Sequence, residues 1–232
     1  MYVPAHFSAD DDSVHELLSR NRAADLVTAG PDGLDATMMP FVYDRERATL
    51  QGHFARNNDH WRRADGRDAL VIVRGPDSYV TPSWYASKVE HGRVVPTWNY
   101  VVAHVHGTVT IHDDVAWLDD LVRRLTDHHE GRRATPWSVD DAPAKFVEGQ
   151  LRAIVGVEVA ITRVEAKFKL SQNRPEADVD GVVAGLRSEG DDRGADAVQA
   201  HRPEPSRHRP VRNKVTRTFS IVTPKKHKRY TV

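Results

Sequence analysis

The chain of 232 residues has no cysteine, only three methionines, and no net charge, because 33 Lys and Arg balance 33 Asp and Glu. Without thiols there is no disulfide scaffold, no thiolate metal site and no cysteine nucleophile, and nothing marks an oxidising compartment. No apolar run approaches the ~20 residues that span a bilayer as a helix. The N-terminus has no basic segment leading into an apolar one. These absences point to a cytoplasmic protein without membrane contact. Also missing are a Gly-x-Gly-x-x-Gly after a strand, a Walker loop, a Gly-x-Ser-x-Gly elbow and a His-Glu-x-x-His pair. A Rossmann dinucleotide site, an NTPase, an elbow hydrolase and a zincin are therefore disfavoured. Thirteen histidines are present, but their pairs fall on different elements, so no metal is expected.

The zero net charge hides an asymmetry. Residues 201–232 carry ten Lys and Arg against one acid, Glu204, so the first 200 residues hold 23 basic and 32 acidic side chains. The body is acidic and does not read as a nucleic-acid surface. The basic tail, with Pro203, Pro205 and Pro210 and few large apolar residues, lacks the burial needed to order itself. It reads as a dispensable disordered extension that could contact DNA only through phosphate neutralisation. No DNA-reading motif is visible. Two regions follow: a domain over 1–190, then a helical extension and basic tail over 191–232.

The stretch from Ser78 to Thr110 organises the rest. Past Trp98, Val101, Ala103, Val105, Val109 and Ile111 alternate with Tyr100, His104, His106, Thr108 and Thr110. Period two predicts a strand with one face in a core and one that is aromatic and polar. That second face suits a flat ligand or a symmetric partner, or it is simply a half-solvated strand. Pro82 and Pro96 interrupt pairing and leave Ser83, Trp84, Tyr85 and Lys88 on a loop able to wrap a ligand.

Around this stretch the chain reads as short strands with flanking helices. Asp10–Ser13 caps a helix carrying Val14, Leu17 and Leu18. Asp25–Ala29 and Leu34–Tyr43 form a hairpin closed by Asp32-Gly33. Thr49–Phe54 leads into a helix capped by Asn57 or Asn58, with Arg56 beside it, which is a possible anion site. Ala69–Val73 is a central strand. Helices are expected from Asp113 and across Pro143–Leu151, and Ile154–Phe168 closes the sheet. The donor-rich Lys169, Ser171, Gln172, Asn173 and Arg174 suit a phosphate or a flavin pyrimidine edge, or form a capped turn before a helix starting near Pro175.

The segments MYVPAHF, SYVTPSWYASK, VPTWNYVVAHVHG and KFKLSQNR, in this order, resemble the PaiB family of FMN-binding negative transcriptional regulators over roughly Met1 to Leu186. The resemblance implies a mainly β (α+β) fold, the FMN-binding split β-barrel shared with pyridoxamine phosphate oxidases and flavin reductases. It implies FMN as cofactor and a homodimer with flavin at the subunit interface. By the same resemblance, Thr37 and Met38 lie on the strand passing the flavin ring, and His53, Arg56 and Asn57 become the phosphate contacts. Ser83, Trp84, Tyr85, Lys88, Trp98, Asn99 and the residues from Lys169 to Arg174 complete the expected site. A flavin-dependent oxidoreductase is the alternative function, and a flavin-free interaction protein the third.

Overall fold

The computed structural model describes residues 1–20, 23–31 and 33–202. The basic tail beyond Arg202 and the Asp32 of the expected turn lie outside the described residues. Seven antiparallel strands form one sheet in the order β2-β1-β5-β6-β7-β4-β3. They are β1 (Ala24–Gly30), β2 (Gly33–Met39), β3 (Val42–Asp44), β4 (Thr49–Ala55), β5 (Asp68–Val80), β6 (Thr97–His112) and β7 (Ile154–Lys169). The fold is the expected mainly β one with flanking helices.

Alternation along β6 places Val101, Ala103, Val105 and Val109 inside. There Ala103, Val105 and Val109 meet Leu26 of β1, Val71 and Val73 of β5, Leu50 and Phe54 of β4 and Val157 and Val159 of β7. Burial alternates along β5 as well, with Ala69, Val71 and Val73 buried and Leu70 and Ile72 half-buried on the other face. Where the sequence suggests one strand over Leu34–Tyr43, the chain forms two. Pro40 lacks an N–H and ends β2, and β3 then pairs with β4 instead. The chain crosses β4 closely at this point: a β-carbon on Gly52 would stand 2.8 Å from the Pro40 carbonyl oxygen. This crossing is the seam at which the sheet curls upon itself.

Helices cover the two ends. Helix α1 (Asp11–Ser19) is capped by the Asp10 carboxylate, which accepts from the Ser13 N–H. Helix α2 (His60–Ala64) follows β4, α3 (Ser87–His91) lies in the loop between β5 and β6, and α4 (Val115–Glu130) and α5 (Ala144–Arg152) connect β6 to β7. Trp117 seats α4 on the sheet: its ring stacks on His112 at 4.1 Å and occupies the space a side chain at Gly156 would need. At the other end, α6 (Glu176–Ser188) and α7 (Asp192–Ala200) build a second core from Val179, Val182, Leu186, Ala195 and Val198 against Val80, Val101 and Phe168. The segment after residue 190 thus packs on the barrel as far as Ala200.

Candidate functional site

Directly opposed residues of neighbouring strands share a face. Met38 is opposite Asp25, Asp25 opposite Ile72, Ile72 opposite His104 and His104 opposite Glu165. One continuous outer face therefore runs across β2, β1, β5, β6 and β7. Along β6 it carries Trp98, Tyr100, Val102, His104 and His106. Met38 is 70% and Trp98 53% exposed there, and Tyr79 meets Trp98 edge-to-face with centroids 6.1 Å apart. Among the described residues no α-helix lies over this mixed row of aromatic, aliphatic, histidine and carboxylate side chains, while the N-terminal segment meets its β7 side, where the Met1 ammonium pairs with Glu165 at 2.8 Å and Lys167 lies over the Tyr2, Phe7 and Tyr100 rings.

The expected site residues gather in two groups near opposite ends of β6. The first surrounds its start. Asn99 and Ser171 exchange hydrogen bonds of 3.1 and 3.2 Å, which stabilises Ser171 at φ +68°. Lys169 Nζ donates to Thr97 Oγ1 at 2.7 Å and to the Trp98 carbonyl. Burial holds its ammonium below the ordinary lysine pKa, and the charges of Lys167 and Arg174 act in the same direction. Lys88 Nζ donates to Ser83 Oγ at 3.0 Å. The Arg174 guanidinium lies 4.5 Å over the Tyr85 ring and has no carboxylate partner among the described residues. Burial raises the Tyr85 pKa, and its hydroxyl is sealed without a hydrogen-bond partner.

Two residues of this group have their side chains turned to structure. Gln172 folds back on its own turn, accepting from the Leu170 N–H and donating to the Phe168 carbonyl. Trp84 lies in a notch of α6 cut by two glycines one helical turn apart, where a β-carbon on Gly181 would collide with the Trp84 carbonyl and one on Gly185 with its indole. Buried Asp178 fixes the same loop by accepting from the Ser87 N–H and hydroxyl, each at 2.9 Å. Asn173 and Lys88 are exposed.

The second group lies at the β2–β4 seam and beyond the end of β6. Arg56 donates from Nη1 and Nη2 to the two Asp113 oxygens, from Nε to the Arg152 carbonyl and from Nη2 to the Ile154 carbonyl. The Asp113 pairing raises the Arg56 pKa and lowers that of Asp113. Four of five guanidinium hydrogens are used, and one on Nη1 has no acceptor among the described residues. Asn57 beside it is exposed. The α2 cap falls at Asp59 rather than on an asparagine. Asn58 still serves the helix, because its Oδ1 accepts from the His60 N–H.

Sequence reasoning passed over the network beneath this group. Buried His60 bonds Thr28 Oγ1 through Nε2 and Thr37 Oγ1 through Nδ1, both at 2.9 Å, and Asn58 Nδ2 donates to Thr37 Oγ1. Thr37 is thereby engaged inward, whereas Met38 points out. His53 is also half-buried, but it faces α4 rather than Arg56. A threonine on each of two adjacent strands, with a histidine on the following short helix, is the only sequence signal for this network, and it is a weak one.

Among the described residues no group of three or more acids and histidines could hold a metal, and no helix is long and apolar enough to cross a membrane.

Residues 1–163 match the family model described as "Putative FMN-binding domain". The chain is 31% identical over 196 residues to the protease synthase and sporulation protein PAI 2 of Bacillus subtilis, covering 82% of this chain and 90% of that one. It is 31% identical to the uncharacterized protein AN0679 of Emericella nidulans, over 84% of this chain and 93% of the relative. Among solved structures, a conserved hypothetical protein of Mycobacterium tuberculosis superposes with a TM-score of 0.55 at 14% identity, covering 76% of this chain and 95% of the other. A FAD and heme binding protein of Mycobacterium smegmatis gives 0.51 at 20% identity, with 77% and 79% covered. Identities this low bear on the fold alone.

Proposed function

Since the chain belongs to the FMN-binding domain family and has PAI 2 among its relatives, we propose that it is an FMN-binding split-barrel homodimer acting as a PaiB-type negative regulator of transcription. The observation that carries the cofactor reading is the division of the candidate residues. Asn99 and Asp113 lie at the two ends of β6, some 45 Å apart along the strand at ~3.3 Å per residue. That contour is longer than one FMN and supports a reading in which the two groups reach one ligand from different chains. A two-fold axis through the uncovered face would place the first group of one protomer beside the second group of its partner.

In this arrangement Arg56 and Asn57 would hold the phosphate and Met38 would serve the ring. Lys88, Asn173, Arg174 and Trp98 of the other protomer would hold the rest of the flavin. These donors fit an anionic, flat ligand: Arg174 is a cation without a carboxylate among the described residues, positioned by an aromatic ring. Bound FMN would supply one- or two-electron redox chemistry, while the protein residues orient it and limit water. The dimer would also cover Met38, Tyr79 and Trp98, which are exposed on this face.

The visible spectrum of the purified protein, with FMN and then NAD(P)H added, tests the reading. Saturable flavin absorbance that NAD(P)H leaves oxidised supports a flavin-bound regulator. Bleaching with turnover would favour the oxidoreductase, and absence of binding would leave an interaction protein.

A further inference from the structure

The connection from β5 to β6 carries Trp84, Tyr85 and Lys88 and keeps its hydrogen bonds largely to itself. Its backbone bonds close locally: the Tyr85 N–H donates to the Pro82 carbonyl, Lys88 to Tyr85, Val89 to Ala86 and Gly92 to Ser87. Lys88 Nζ on Ser83 Oγ and the Arg93 N–H on His91 Nδ1 are internal too. Among the described residues, the hydrogen bonds by which the side chains and N–H groups of 82–93 reach another element go to a single group, the Asp178 carboxylate. Its Oδ1 accepts from the Ser87 N–H and its Oδ2 from the Ser87 hydroxyl, each at 2.9 Å. Asp178 is fully buried and Ser87 is 6% exposed. A carboxylate taken out of water is costly unless hydrogen bonds satisfy it, so the Ser87 pair, with the N–H dipoles of the first turn of α6, is what holds it there. Ser87 in turn begins α3, a five-residue helix whose own N-cap, Ala86, offers no side-chain bond. Asp178 is the cap that α3 lacks, supplied from another helix.

We propose that Asp178 is a positioning residue for the anionic ligand: it touches no ligand and acts by holding Lys88 in register with Arg174, with FMN as that ligand on the flavin reading. Asp178 follows Arg174 by four positions, and Ser87 directly precedes Lys88. One buried carboxylate therefore sets the spacing between the two segments that carry these cations. The segments also meet where the Arg174 guanidinium lies over the Tyr85 ring and where Trp84 fills the notch at Gly181 and Gly185. Those contacts are faces in apposition and fix proximity, whereas a pair of hydrogen bonds to one residue fixes direction. Lys88 extends from the first turn of α3, so the direction of that turn decides where its ammonium points.

Hydrogen exchange of the unliganded protein and FMN titration, run on the same variants, test this. Asp178→Ala leaves the Ser87 N–H and hydroxyl unmet, and amide exchange across 82–93 should rise by about tenfold or more while β6 and β7 keep their protection. Its FMN affinity should fall by about tenfold. Asp178→Asn keeps an oxygen for the Ser87 N–H and offers an amide hydrogen to the hydroxyl, so both readouts should stay within about threefold of wild type. Ser87→Ala keeps the N–H bond alone and should change each readout by roughly threefold, which provides the test if Asp178→Ala fails to fold. Lys88→Ala should weaken FMN by about tenfold in the wild-type background but by about twofold or less beside Asp178→Ala or Ser87→Ala, since a lysine that is no longer held contributes little. Wild-type exchange in these folded variants, or an equal loss from Lys88→Ala in every background, would overturn the proposal while FMN binding stands. A wild-type protein that binds no FMN, with the segment still loosened by Asp178→Ala, would overturn the flavin reading and with it the ligand role of Asp178.

Discussion

The indole of Trp84 occupies the position where a side chain at Gly185 would have to be: a β-carbon there would lie 2.2 Å from the ring. The close approach of the β5–β6 loop to α6 therefore depends on a residue without a side chain. Gly185→Ala should destabilise the fold by about 1–3 kcal/mol, the usual cost of overpacking, and should weaken any ligand held by Lys88 on the displaced loop. Chemical denaturation beside FMN titration checks both effects. Wild-type stability in the alanine variant would show that the loop has another seat.

Acid should act on the fold through buried histidines. Burial holds His53 and His60 below the ordinary histidine value of 6.5. Below that value the unfolded chain binds more protons than the folded one, so stability falls as pH drops from 7.5 to 5.5, by at most about 1.4 kcal/mol per pH unit for each group. Glu165 acts in another window. Held at about 2 chiefly by the N-terminal ammonium, it contributes fully above its ordinary 4.5 and loses that contribution only as pH falls toward 2. Melting temperatures at pH 7.5 and 5.5 should show a decline that is smaller in His53→Phe. Because His53 makes no hydrogen bond among the described residues, this substitution removes its titration without breaking one of them. An identical decline in the variant would remove His53 from the account.

The outer face should be an interface between copies. The 26.1 kDa chain is expected to sediment at micromolar concentration as a species of twice that mass. Ile72→Asp puts a charge at the centre of the face, opposite His104, and should yield a folded monomer with weaker FMN binding. A wild-type monomer would contradict the dimer.

Much of this arrangement is legible in the order of residues, and some of it is not. The alternation from Val101 to Ile111 gives β6 and its two faces directly, because side chains in a strand have a period of two. Proline at 82 and 96 correctly separates β5 from β6. What periodicity cannot carry is the pairing of distant segments. Arg56 meets Asp113 across 57 positions, Ser87 meets Asp178 across 91, and the notch for Trp84 is cut by glycines that in sequence look only like poor helix formers. The donor-rich run after Lys169 reads as one binding loop, yet Gln172 spends its amide on its own turn and Ser171 is locked to Asn99. That the two groups of candidate residues lie at opposite ends of one strand emerges only from the register of β4, β6 and β7.

The composite nature of the flavin site is the central claim, and mixed dimers test it most directly. Arg56→Ala and Arg174→Ala should each weaken FMN binding as homodimers, the latter by roughly 10- to 100-fold for loss of a charge-assisted contact. After subunit exchange between the two variants, each heterodimer should hold one site with Arg174 from one protomer and Arg56 from the other. At equal mixing, about a quarter of all sites should regain wild-type FMN affinity. A mixture that binds no better than its parents, although subunit exchange is demonstrated, would place both arginines in the same chain's site or outside it, and would contradict an FMN site shared across the two-fold.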